Sequence, residues 1–146
     1  MSILSPELLE TIHSRAERHD RENTFPHDDV ADLKAAGYFT AFVPKEFGGG
    51  GLSLPEMTRV QRQLAAAAPA TALGVNMHQV WVGVARVMHA AGLKEADFLF
   101  EAAMKGEIFG FGISERGNDL VLFGSTSEAR PDGEGGYTFH GTKIFT

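Results

Sequence analysis

"FGFGISERGNDLVLFG", residues 109–124, decides how this chain divides. Before Glu107 the apolar residues recur at helical spacing, and after it they come in short runs punctuated by glycine. The stretch starts as an apolar strand and then breaks into Ser114, Glu115, Arg116, Gly117, Asn118 and Asp119. Gly-Asn-Asp is turn chemistry. Ser-Glu-Arg ahead of it is not something a turn demands. Two readings stay open on these residues. One is a plain β-turn. The other is a strand end whose hydroxyl, backbone amides and glycine bind an anion or the polar edge of a ring.

Towards the C-terminus, "VLFGSTSEARP" and "GYTFHGTKIFT" are β-rich, and "DGEGG" between them is a hairpin signal. "IFGFGIS", residues 108–114, reads as a further short strand. Three strands without a closing partner leave an edge and an apolar face that another element should cover. The pattern therefore suggests the front part of a longer protein, with a small sheet packed on the helices as the other reading.

Towards the N-terminus, Ser5-Pro6-Glu7 gives an N-cap, a proline at the first helical position and an acid in the first turn. With Leu8, Leu9, Ile12 and Ala16 on one face, a helix is expected from Pro6 to Glu22. A short helix from Asp28 to Ala36 should point Val30 and Leu33 inward, with Gly37 as its stop. Pro55 opens a third helix whose face carries Met57, Val60, Leu64 and Ala67. A long buried helix is expected from Ala70 to Ala91, and a last one from Lys94 to Lys105 with Phe98, Ala102 and Ala103 as its apolar residues. Helices first and strands second predict an α+β chain. The expected units are a helical domain over 1–107 and the start of a β-domain over 108–146.

The chain has 146 residues, 43% apolar and 22% charged, with a net charge of −6 and no cysteine. Such an acidic balance does not suggest a nucleic-acid surface. Disulfides, cysteine nucleophiles and thiolate metal sites are excluded. No basic and apolar leader opens the sequence, so the expected location is cytoplasmic. Residues 70–92 are long and mostly apolar, but Asn76, His78, Gln79, Arg86 and His89 interrupt them, which favours a buried helix over a membrane span.

The glycine run Gly48–Gly51 lacks the lysine that a phosphate loop places after its glycines, since Lys45 comes before them. It reads as a flexible connector. None of the six histidines has the spacing of a zinc motif, and none has an acidic partner in a useful pattern, so no metal is expected. His78, on the long helix, is a core residue on this reading and a weak catalytic candidate on the alternative one.

Four segments, in order, resemble the acyl-CoA dehydrogenase family of flavoproteins. Residues 33–65, "LKAAGYFTAFVPKEFGGGGLSLPEMTRVQRQLA", resemble its run from the second helix through a glycine connector. "ALGVNMHQVWVGVARVMHAAG" resembles its central helix. "MKGEIFGFGISERGND" is similar to its small-residue strand, Thr-Glu-Pro and Gly-Ser-Asp. "YTFHGTKIFT" resembles the strand that ends in Lys-x-Trp-Ile-Thr. The resemblance implies a helical bundle followed by the first strands of a β-barrel-like domain, incomplete at the C-terminus. It implies FAD, or FMN in a monooxygenase relative, and oxidation of the Cα–Cβ bond of an acyl-CoA thioester with hydride transfer to flavin N5. The expected flavin-binding residues are Ser114, Glu115, Gly117, Asn118 and Phe145. Ser114 matches the ring-binding Thr, Gly117 and Asn118 match the Gly-Ser pair on the pyrophosphate, and Phe145 stands for the aromatic on the ring. The family's catalytic carboxylate belongs to a C-terminal helical bundle, so no catalytic residue is expected within these residues. The resemblance also implies an acyl-CoA or other small-molecule substrate, an electron acceptor and a homo-oligomer. Arg116 in place of proline and a loop two residues short suit a divergent member. A flavin monooxygenase of the same fold is therefore the alternative, and a helical interaction module without cofactor is the second.

Overall fold

The computed structural model describes residues 3–116 and 124–144. The chain forms two compact units, Met1–Phe109 and Gly110–Thr146. The first is helical: α1 (Pro6–Glu22), α2 (His27–Ala35), a 3₁₀ turn (Lys45–Phe47), α3 (Leu54–Ala67), α4 (Pro69–Ala90) and α5 (Phe98–Met104). The second contains the antiparallel pair β1 (Glu128–Pro131) and β2 (Tyr137–His140). The α+β order expected from the sequence is observed.

Local chemistry sets the helix ends. Ser5 caps α1 by accepting the Leu8 N–H at 3.1 Å, and Pro6 fills the first helical position, where no donor is needed. At α3, Glu56 reaches back to the Ser53 N–H at 2.7 Å and closes a capping box. Ile12, Leu33, Met57, Val60, Leu64, Val75 and Val82 then form the core with the buried connector residues Tyr38, Phe39, Phe42 and Val43. The apolar residues named for α5 are not all buried. Phe98 is exposed, whereas Phe100 is fully buried with its ring 4.7 Å from Phe47. The 3₁₀ turn supplies that partner, and helical periodicity cannot reveal it.

A buried polar cluster ties three helices together. Asp29, with no exposed surface, accepts from Thr71 Oγ1 of α4 at 2.8 Å. Its other oxygen lies 2.8 Å from Arg15 Nε of α1, close enough for an ion pair but not aligned as a hydrogen bond. Arg15 also holds Asp32 through Nη2 at 2.5 Å.

The glycine run is a tight packing element and not the flexible connector expected. Gly50 N donates to Thr40 O, Gly51 N to Val43 O and Leu52 N to Ala41 O, at 2.9–3.0 Å. The run thus folds back on residues 40–43. A Cβ on Gly49 would lie 2.3 Å from the Val43 carbonyl oxygen and 2.4 Å from its Cβ. Only glycine permits that approach.

In the second unit, β1 and β2 pair with Glu128 opposite His140 and Pro131 opposite Tyr137. The "DGEGG" turn is closed by Asp132, whose Oδ1 accepts from the amides of Glu134 and Gly136 at 2.8 and 2.9 Å. Residues 108–114 are not a strand, contrary to expectation. Gly110 and Gly112 give such a strand no side chains to pack. Among the described residues no helix is long and apolar enough to cross a membrane.

Two glycine substitutions should have opposite signs. Gly49→Ala must push backbone against backbone and should cost about 1–3 kcal/mol or more. Gly74 lies within α4, where an added Cβ meets nothing within 4 Å, so Gly74→Ala should stabilise by about 0.5–1 kcal/mol. Urea unfolding followed by the helical circular dichroism signal measures both. A neutral Gly49→Ala would contradict the tight turn.

Candidate functional site

The residues singled out by sequence fall in both units. Gly117, Asn118 and Phe145 lie outside the described residues. Ser114 and Glu115 are described, and their surroundings are built by the second unit itself.

Glu115 is 4% exposed. Its Oε1 accepts from Ser125 Oγ at 2.6 Å, Ser127 Oγ at 2.7 Å, Ser127 N at 3.2 Å and Lys143 Nζ at 2.5 Å. Its Oε2 accepts from Thr126 N at 2.6 Å and Thr126 Oγ1 at 2.5 Å. An ionised carboxylate offers about four lone-pair positions, so this one is saturated. The Lys143 ammonium first, and then the hydroxyls of Ser125, Thr126 and Ser127, hold the carboxyl far below the usual carboxylate range. The group stays ionised at any ordinary pH.

The same contact brings the 143–144 segment to the 114–115 segment. Ile144 N donates to Ser114 O at 2.9 Å, one residue along from the Glu115–Lys143 pair. Ser114 and its neighbours are thus tied to the residues just before Phe145. No described residue donates to the Ser114 hydroxyl or accepts from it. Sequence reading proposed Glu115 as a cofactor contact, and it did not find Lys143 or the hydroxyl run Ser125–Ser127. The signal was there in part: three consecutive hydroxyl residues following an apolar run form a ready set of donors for a buried carboxylate.

His78, the weak catalytic candidate, is fully buried in the first unit. Its Nε2 pairs with the Phe39 carbonyl at 2.7 Å, and its Nδ1 accepts the Phe109 N–H at 3.3 Å. A carbonyl can only accept and an amide can only donate, so the ring is the neutral Nε2–H tautomer. It stacks on Phe109 at 4.9 Å and meets Phe39 edge-on at 5.2 Å. Burial lowers its pKa, and the bond to Phe39 offsets that only in part. With both nitrogens engaged, His78 has the core role that the sequence favoured. His89 corrects another expectation, because it does have acidic partners: Asp97 at 2.8 Å and Glu46 at 3.0 Å. They come from separate elements, which spacing does not show. Among the described residues no cluster could hold a metal ion.

A groove of about 870 Å³ runs between α3 and α4, lined by Leu54, Met57, Val80, Val84 and Val87, with Gln79 among its polar members. Val80, Val84 and Val87 are all exposed.

The chain thus combines a helical unit that has an apolar groove along α3 and α4 with a second unit in which Glu115 is held by Ser125, Thr126, Ser127 and Lys143. Residues 8–97 match the acyl-CoA dehydrogenase N-terminal domain. The chain belongs to the acyl-CoA dehydrogenase family. It is similar to a glutaryl-CoA dehydrogenase of Desulfococcus multivorans, with 25% identity over 80% of this chain and 31% of that protein. An isobutyryl-CoA dehydrogenase of Dictyostelium discoideum is 25% identical over 89% of this chain and 31% of its own. A dibenzothiophene monooxygenase of Rhodococcus qingshengii is 29% identical over 94% of this chain and 32% of its own. The chain spans about a third of the length of these relatives.

The depressed pKa of His78 has a pH consequence. The folded state resists protonating this ring, while the unfolded chain takes the proton near pH 6.5. The stability it contributes is complete above about that pH and is lost as pH falls from there towards the folded value. The melting temperature should therefore decline between pH 7.5 and 5.5, conditions set about one unit either side of that value. His78→Gln keeps a donor for Phe39 and should flatten the decline. An unchanged slope would mean that His78 is not buried neutral.

Proposed function

We propose that this chain is the helical and first β part of an acyl-CoA dehydrogenase-like flavin oxidoreductase, with FAD as cofactor and an acyl-CoA thioester as substrate. The observation that carries the reading is the Ser114 O to Ile144 N bond beside the Glu115–Lys143 pair. It makes neighbours of the two segments that family resemblance assigns to the flavin. On this reading the Ser114 hydroxyl donates to the ring, Gly117 and Asn118 lie along the pyrophosphate, and Phe145 packs on the ring. A bare carboxylate beside Ser114 would repel a pyrophosphate. The Glu115 charge is taken up by Lys143 and three hydroxyl side chains, which fits an anionic cofactor. Flavin, when bound, supplies the hydride-accepting chemistry, and the protein binds and orients. The α3–α4 groove offers an apolar wall for an acyl chain. His78 takes no proton-transfer step, because both its nitrogens are engaged.

A second reading is favoured by one observation. The dibenzothiophene monooxygenase relative aligns with 94% of the chain. On that reading the protein uses reduced flavin and oxygen on a small molecule that is not a CoA thioester, and FMN can take the place of FAD. One experiment separates the two. The protein in its natural full length should purify with flavin, and an acyl-CoA should bleach the oxidised flavin without oxygen. Oxygen consumption by the reduced protein with a non-CoA substrate, and no bleaching, would select the monooxygenase. No flavin at all would overturn both and favour an interaction module.

Ser114→Ala in the same protein should weaken flavin binding by about 0.5–1.5 kcal/mol, the usual worth of one hydrogen bond. Titration of the apoprotein with flavin measures it. Unchanged affinity and unchanged reduction potential would remove Ser114 from the site.

A further inference from the structure

We propose that Glu115 is a positioning residue, whose carboxylate bridges the Ser125–Ser127 turn and Lys143 and so fixes the main chain that presents Ser114. The inference rests on the flavin reading above and gives Glu115 a different task from the direct cofactor contact expected from sequence.

All acceptor positions of Glu115 are filled by donors of its own unit, so none is left for a flavin or substrate group. Charge-assisted hydrogen bonds are about twice as strong as neutral ones, and six donors on one buried carboxylate make a rigid node. Three stretches distant in sequence meet there: 114–115, 125–127 and 143–144. One further tie lies within the 125–127 stretch, and two join the 143–144 stretch to the others. Ser127 N donates to Ser125 Oγ at 3.1 Å, Lys143 Nζ lies 3.2 Å from the same Oγ, and Ile144 N donates to Ser114 O at 2.9 Å. The node therefore holds residues 115 and 125 together, and it sets the backbone from which the Ser114 side chain springs. A serine whose hydroxyl must meet one ring atom needs its backbone held to a fraction of an ångström. Without the carboxylate, Lys143 and three hydroxyl residues lose their common acceptor, and the Ser114–Ile144 bond loses the contact that aligns it.

The test uses the full-length natural protein and two readouts. The first needs no cofactor. Amide hydrogen exchange is measured by NMR in wild type, Glu115→Gln and Lys143→Met. The Thr126, Ser127 and Ile144 amides should exchange about tenfold faster or more in Glu115→Gln, and Ile144 should do so in Lys143→Met. Helical-unit amides should keep their rates. Unchanged protection at Ile144 in both variants overturns the inference, whatever the protein binds. The second readout is flavin affinity in a double-mutant cycle of Glu115→Gln with Ser114→Ala. If Glu115 acts through Ser114, Glu115→Gln weakens flavin about tenfold and Ser114→Ala adds little to it. Additive losses would show that Glu115 acts independently of Ser114 and would overturn the positioning role. A wild-type protein that binds no flavin refutes the proposed function and the use made of the node, and that outcome is distinct from unchanged exchange at Ile144.

Discussion

The helical unit depends on satisfying the backbone of a buried segment that has no regular structure. Residues 38–43 run through the core, and Tyr38, Phe39, Ala41, Phe42 and Val43 are all buried. Carbonyls in such a place cost free energy unless something donates to them. Helix α4 provides the donors from its own side chains. His78 Nε2 serves the Phe39 carbonyl at 2.7 Å, and Gln79 Nε2 serves that of Tyr38 at 3.0 Å. Two turns further on, Arg86 Nη1 serves both Phe42 and Leu52, each at 2.7 Å, while its guanidinium lies 4.5 Å from the Phe42 ring centre. The polar residues that interrupt this apolar helix are the reason it can pack against an irregular chain.

The glycine run completes that arrangement from the other side. Its amides satisfy the carbonyls at 40 and 43, the next amide, Leu52, satisfies that at 41, and its missing side chains let the backbones touch. Tyr38, buried at the start of the segment, directs its hydroxyl to Gln61 of α3, and Gln61 donates in turn to the Ala72 carbonyl of α4 at 2.8 Å. Desolvation pushes the Tyr38 phenol well above its ordinary value, so it remains a donor. Asp29 makes the corresponding junction for α1, α2 and α4. Burying a charge is favourable only where partners compensate it, and Arg15 and Thr71 are those partners. The unit is thus an apolar bundle pinned at a few polar junctions, each of them between elements far apart in sequence.

The second unit applies the same principle with a carboxylate. Glu115 gathers donors from two other stretches, 125–127 and Lys143, beside Ser114, in a family whose relatives include both CoA dehydrogenases and a monooxygenase. On the proposed reading, a rigid frame around one hydroxyl is compatible with either chemistry, because it would set where a ring is held and not what reacts with it. Departures from the common motif, such as Arg116 where proline is usual, lie just outside the node.

The sequence by itself determined the helices, their caps, the hairpin turn and the family. All of these follow from signals within a few residues: Ser5-Pro6, the Ser53 to Glu56 spacing, the 3.6-residue periodicity, and the glycines and Asp132 of the turn. It also identified Ser114 as a candidate and His78 as a core residue. Only the tertiary structure decided what the polar residues do. Nothing near Glu115 in the sequence points to Lys143, 28 positions away, or near His78 to the Phe39 carbonyl, 39 positions away. The glycine run shows the same limit: as sequence it reads as flexible, and in the fold it is the tightest backbone approach in the unit's connector. Conformational preference is local, so a sequence displays it directly. A buried hydrogen bond is chosen by whichever distant backbone the packing brings within reach, and that is set only when the chain has folded.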